Sequence, residues 1–176
     1  MDSFFVGKDC VYVCDMSKRT IYSYSFDGKF LHSLSFPYSL VFNDVVELPD
    51  GRFLCHRPSQ SENCKGLWIL DQKGRRVKNL LEYEKGTPCK NSYWNTLCAQ
   101  EDGTIKIYNP VDGSYYQYDA VNDTVVRTMR QKSNLPMLAD FHCSDRELYE
   151  TKEECTYSLF TVDGKNLVFS LWSFNS

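Results

Sequence analysis

The 176-residue sequence carries eight cysteines but no Cys-x-x-Cys pair. The common zinc-finger and thioredoxin signatures are therefore absent. There is no block of basic residues, and the net charge is −3. Such a balance gives no support for binding nucleic acid or an anionic membrane surface. No apolar run reaches the roughly 18 residues that a membrane-spanning helix needs. Gly-x-Ser-x-Gly elbows, phosphate-binding loops and dinucleotide fingerprints are missing too. Sustained 3.6-residue periodicity is also lacking. The nearest helical candidate, Lys78 to Glu84, is short and overlaps a strand pattern. The first residues, MDSFFVGKDC, have neither the basic nor the long apolar region of a signal peptide. With Met1 as the natural start, this places the chain in the cytoplasm.

What the sequence has is aromatic residues, 15% of the total, with 12 Tyr and 11 Phe. They fall in alternating runs. Tyr22, Tyr24 and Phe26 alternate with Ile21, Ser23 and Ser25, the period of a half-buried strand. Asp27-Gly28 follows as a hairpin turn, and Phe30, His32, Leu34 and Phe36 alternate on the far side. The same unit recurs. Inner turns stand at Gly7, Gly51, Gly103 and near Asp145, and outer turns at Gly28, Gly74, Asn122 and Gly164. Both series keep a period of about 45 residues, which with four strands per repeat is the pattern of β-propeller blades.

The expected architecture is all-β: four-stranded antiparallel blades at about 1–36, 37–82, 91–132 and 136–174. In the second repeat Ser39 to Leu48 reads as the inner strand, and in the third Tyr93 to Gln100. A lone blade cannot bury both faces, so the aromatics, those of the Tyr22–Phe26 hairpin included, are expected to pack blade on blade.

Cys10 and Cys14 share one predicted strand, with Cα atoms roughly 13 Å apart, too far to bridge. Most cysteines lie in apolar strands and read as buried thiols. A disulfide would most simply involve the loop residues Cys64 or Cys89.

In a propeller the innermost strands line a central channel, and loops at one mouth carry function. Asn43 and Asn95 each precede their turn aspartate, Asp50 and Asp102, by the same interval. They occupy equivalent places in adjacent blades. Asp44 neighbours the first, and Asp140 and His142 fall on the corresponding strand of the fourth repeat. Tyr93 and Trp94 sit at the same strand start. These seven residues are the candidate ligand site. Asn43 and Asn95 are also the candidate metal ligands, and Ca²⁺ the candidate ion, because hard cations prefer oxygen. The simpler alternative is that both asparagines satisfy backbone groups where the strand begins. His32 and His56 are isolated on strands and read as packed or surface residues. Trp68 and Trp172 read as core.

The runs Val11-Tyr12-Val13-Cys14-Asp15 and Ile21 to Phe30 resemble NHL-type repeats. Taken whole, the chain resembles the six-bladed β-propeller proteins of Bacteroides-type gut bacteria, and it lacks the Trp-Asp and Gly-His marks of WD40 repeats. That resemblance implies a periplasmic or cell-surface protein without an assigned activity. It implies a non-catalytic scaffold that binds a protein, peptide or glycan at the channel mouth. The alternative it carries is a Ca²⁺-dependent lactonase or sugar hydrolase, whose Glu/Asn/Asn/Asp metal set would need further repeats. Four repeats where such proteins have six point to part of a longer protein. The competing readings are a closed four-bladed ring, or an open arc whose exposed blades favour a homo-oligomer.

Overall fold

The computed structural model describes the backbone of residues 3–61, 64–82, 96–100, 103–109, 114–130, 157–163 and 166–172. Side chains are described within 3–57, 66–82, 96–100, 103–109 and 114–129. Tyr93, Trp94, Asn95, Asp140 and His142 lie outside these residues.

Three four-stranded antiparallel sheets follow one another along the chain. The first holds β1 (Ser3–Val6), β2 (Val11–Asp15), β3 (Thr20–Tyr24) and β4 (Phe30–Ser35). β5 (Asp44–Glu47), β6 (Phe53–Ser61), β7 (Cys64–Leu70) and β8 (Arg76–Leu81) make the second. The third holds β9 (Leu97–Ala99), β10 (Ile105–Asn109), β11 (Ser114–Asp119) and β12 (Thr124–Arg130). A hairpin of β13 (Tyr157–Asp163) and β14 (Asn166–Trp172) completes the described strands. In every sheet the neighbours are consecutive, as in a meander. This is the blade expected from the turn spacing, and the fold is a partial β-propeller.

Some strands are shorter than their apolar patterns. β5 begins at Asp44, not at Ser39, because Leu40 N–H bonds back to Pro37 C=O at 2.9 Å and turns the chain. Leu40 and Phe42 are buried all the same, packed between the first two sheets. The Lys78–Glu84 segment is strand where it pairs: β8 lies along β7, with Trp68 opposite Asn79 and Ile69 opposite Lys78. Edge pairing outweighs weak local helical preference.

Each sheet has a leading face, toward the sheet before it, and a trailing face. Alternation assigns the residues. On the second sheet Val45, Phe53, Cys55, Trp68 and Leu70 lead, and they pack against Tyr12, Cys14 and Ile21 of the first. Val46, Leu54, Leu67 and Ile69 trail, and they pack against Leu97, Ile105, Ile107, Tyr116 and Tyr118 of the third. Trp68 is 1% exposed, a core residue as its alternation implied. Each such side chain contributes about 1.5–3 kcal/mol by leaving water. These two apolar seams are the main cohesion of the described chain.

Cys10, Cys14 and Cys55 lie buried in the first seam, and none of them is in a disulfide. Cys98 is half-buried and also unbridged. Side chains of Cys64 and Cys89 lie outside the description.

The first hairpin departs from expectation. Its buried side is Ile21 and Ser23, at 1% exposure each. Tyr22 and Tyr24 are half-buried on the leading face, and Phe26 is 65% exposed. The aromatic side faces away from the second blade, so it does not pack blade on blade among the described residues. Alternation tells two faces apart but does not say which one has a neighbour.

Candidate functional site

Buried polar groups gather where β5 and β9 begin. Asp44 opens β5 opposite His56 of β6. Thr96 precedes β9 and holds the place in the third sheet that Asp44 holds in the second, since Leu97 pairs with Ile107 as Val45 pairs with Cys55. All three are buried: Asp44 8% exposed, His56 0% and Thr96 1%.

Their contacts cross the seam. Asp44 Oδ2 accepts the N–H of Thr96 at 2.6 Å and the N–H of Leu97 at 2.8 Å. Oδ1 accepts the N–H of Val45 at 2.9 Å. His56 Nδ1 lies 2.5 Å from Thr96 Oγ1. Thr96 C=O accepts the N–H of Tyr108 at 2.9 Å, and His56 C=O accepts the N–H of Asn43 at 2.9 Å. One carboxylate thus supplies acceptors for the first N–H groups of the next blade's inner strand. Those groups would otherwise be buried without partners, at about 1–3 kcal/mol each. Asn43 stands half-buried beside this cluster.

Burial pushes the Asp44 carboxyl up from 3.8 to about 6, against the Leu97, Thr96 and Val45 N–H groups that favour the charged form. Burial pushes His56 down from 6.5 to about 3. At neutral pH the pair is therefore a carboxylate and a neutral imidazole. Their effects on stability oppose each other. Asp44 holds its proton more firmly folded than unfolded, so its contribution is complete below 3.8 and is lost as pH rises through about 6. His56 refuses in the fold a proton that it accepts unfolded. Its contribution is complete above 6.5 and is lost as pH falls toward about 3. Urea unfolding across this range should show His56→Gln gaining stability on acidification and Asp44→Asn losing it. The unsubstituted chain should be flatter than both. Two variants that track the unsubstituted chain would contradict the assignment.

A second clamp ties the same blades at the opposite, turn end. Arg52 follows the Asp50-Gly51 turn and reaches Asp123 in the outer turn of the third sheet. Its Nη1 and Nη2 donate to the two Asp123 carboxylate oxygens at 2.8 and 2.9 Å. Nε donates to Asp50 Oδ2 at 2.5 Å, and Tyr118 Oη–H donates to Asp123 Oδ1. The Arg52 fork, ahead of the other contacts, holds the Asp123 carboxyl below its usual range. Arg52→Lys keeps the charge but loses the planar fork. It should lower stability by about 1–2 kcal/mol in urea unfolding. A cavity of about 480 Å³ lies nearby, lined by Gly103, Thr104, Gln117, Tyr118, Val126 and Thr128 among others.

Of the residues that sequence points to, the described structure brings Asn43 and Asp44 to one place. Asp44 faces the seam between blades. Thr96 and the role of His56 escape sequence reasoning, although the equal spacing of Asn43 and Asn95 before their turns also pairs Asp44 with Thr96. No group of three or more His, Cys, Asp or Glu able to hold a metal occurs among the described residues. No helix among them is long and apolar enough to cross a membrane.

Comparison with known proteins gives the fold a family. No curated protein matches the chain. Among solved structures, an exported protein of Bacteroides fragilis superposes with a TM-score of 0.72 at 16% identity, covering 99% of this chain and 52% of that one. A streptogramin B lyase superposes with a TM-score of 0.50 at 11% identity, covering 96% of this chain and 53% of that one. The chain spans about half the length of the structures it matches, and at such identities the likeness is one of fold. The model of DUF5128, described as a 6-bladed beta-propeller, matches residues 1–169. With meandering four-stranded blades, apolar seams and a family match along nearly its whole length, the chain belongs to this six-bladed β-propeller family.

Proposed function

We propose that the chain is a non-catalytic propeller scaffold whose channel-mouth surface binds a protein, peptide or glycan. One observation carries this reading. The acid and the base where β5 and β6 pair, Asp44 and His56, are buried and committed to the seam. A catalytic carboxylate needs an open approach for substrate and for the proton it moves. Asp44 has its oxygens turned to three backbone N–H groups instead. In this reading Asn43 is part of a polar rim, to which Asn95 would add a second amide and Tyr93 and Trp94 an aromatic contact of the kind that binding surfaces favour.

A metal-dependent lactonase-type hydrolase is the competing reading, and Asn43 with Asn95 would then hold Ca²⁺. A glycan and peptide array probed with this chain should return a ligand whose binding weakens at least about tenfold in Trp94→Ala or Asn43→Ala, the loss of one good contact. A lactone panel assayed with Ca²⁺ should show no turnover. Turnover that Asn43→Ala abolishes, together with a Ca²⁺-dependent rise in melting temperature, would overturn the scaffold reading.

A further inference from the structure

A cationic group and an exposed aromatic ring meet where the first blade passes to the second. The β2–β3 turn ends on Arg19, whose N–H donates to Met16 C=O at 3.4 Å and whose C=O accepts the Phe36 N–H at 2.9 Å. Its φ is +54°, a left-handed backbone that residues other than glycine adopt sparingly. From there the side chain runs to the link between β4 and β5. Nη1 donates to Leu40 C=O at 3.2 Å, and the guanidinium carbon lies 5.5 Å from the centre of the Tyr38 ring. Tyr38 is 79% exposed, more than any other described aromatic residue. Arg57 of β6 reaches the same link, with Nη1 at 3.5 Å from Val41 C=O.

The contacts of the fold use only part of Arg19. A guanidinium offers five N–H donors, and the Leu40 carbonyl takes one of them. Nε is buried without a hydrogen-bond partner among the described residues. The usual match for such a group is a carboxylate, which accepts two guanidinium N–H groups at once. Asp15, the carboxylate nearest in the chain, is held by Lys18 instead. Its Oδ1 accepts the Lys18 N–H at 2.9 Å, and its Oδ2 lies 3.6 Å from Lys18 Nζ. Lys18, Arg19 and Arg57 against Asp15 leave these segments with an excess of positive charge. Beside that charge, the part of the Tyr38 ring that Arg19 does not cover stands in solvent.

We propose that Arg19 and Tyr38 form a recognition site for a sugar-acid residue of a glycan, its carboxylate on the guanidinium and its ring on the open part of the tyrosine. The proposal rests on the scaffold reading and narrows its ligand. A guanidinium alone would suit an acidic peptide equally. The aromatic ring held against it favours a sugar acid, whose C–H face packs on an aromatic ring while the carboxylate projects from the sugar's edge. Neither residue is among the seven candidates that sequence points to.

Isothermal titration calorimetry with oligosaccharides of glucuronate, galacturonate and mannuronate tests it, each beside its neutral, carboxyl-reduced counterpart. At least one acidic oligosaccharide should bind at least about tenfold more tightly than its reduced form, as one charge-assisted contact provides. Tyr38→Ala changes an exposed side chain, so urea unfolding should stay as it is while that binding weakens at least about tenfold. Arg19→Gln should erase the preference for the acidic form. Equal binding of acidic and reduced forms, or binding that Tyr38→Ala leaves alone, would overturn the proposal, and the scaffold reading would stand on the glycan bound. A glutamate-rich peptide whose binding needs Arg19 but not Tyr38 would overturn it in favour of an acidic peptide. Binding of none of the oligosaccharides would overturn it as well, and an array ligand weakened by Trp94→Ala would then keep the scaffold reading.

Discussion

Asp44→Ala is expected to lower the free energy of unfolding by about 2–4 kcal/mol, because it leaves the Thr96 and Leu97 N–H groups buried without acceptors. Losing the buried carboxylate also removes a desolvation penalty, which keeps the figure below the sum of two unmatched donors. Asp44→Asn is the informative companion. Both inter-blade bonds go to the single oxygen Oδ2, at 2.6 and 2.8 Å, and an amide oxygen can accept both. Its amide nitrogen would then face the Val45 N–H in place of an acceptor. The expected loss is about 1 kcal/mol. Urea unfolding at neutral pH separates the two, and equal losses would show that the seam bonds are not what Asp44 contributes.

Gly74→Ala is the second large effect. Gly74 has φ +74°, which an L residue adopts at about 1–2 kcal/mol. The added Cβ would also lie 2.1 Å from the Ser35 carbonyl oxygen and 3.0 Å from its carbon. Main chain cannot step aside as a side chain does, so the outer turn of the second blade must lift from the first. The expected cost is about 3 kcal/mol or more. Gly28→Ala isolates the backbone part. At φ +85° with open space around it, it should cost only about 1–2 kcal/mol. If both substitutions cost the same, the blades do not meet as described.

The turn residues were the most legible part of the sequence. Gly28, Gly51, Gly74 and Gly103 all take positive φ at the places their spacing assigns. Two turn series with one period were enough to give four-stranded blades, because each strand between them is too short to be anything else. Strand limits were less legible. The apolar run from Ser39 to Leu48 hides a turn at Pro37–Leu40, since Leu40 and Phe42 are buried without belonging to a strand. Which face of the first hairpin has a neighbour was not legible, because Ile21/Ser23 and Tyr22/Tyr24 satisfy the same alternation. Asp44 stood out as a polar residue at a channel-lining strand. Its partners lie 52 and 53 residues away in the next blade, and no local pattern records that contact.

The central claim is that Asp44 serves the join between blades, with its carboxylate committed to the Thr96 and Leu97 N–H groups. Native-state hydrogen exchange of the Thr96 and Leu97 amides measures this directly. In the unsubstituted chain both should exchange as slowly as the β10–β11 amides. In Asp44→Ala both should speed up by at least about tenfold to a hundredfold, the change that 1.4–2.8 kcal/mol produces, while β10–β11 lags behind. Fast exchange at Thr96 and Leu97 before substitution, or no change after it, would contradict the account.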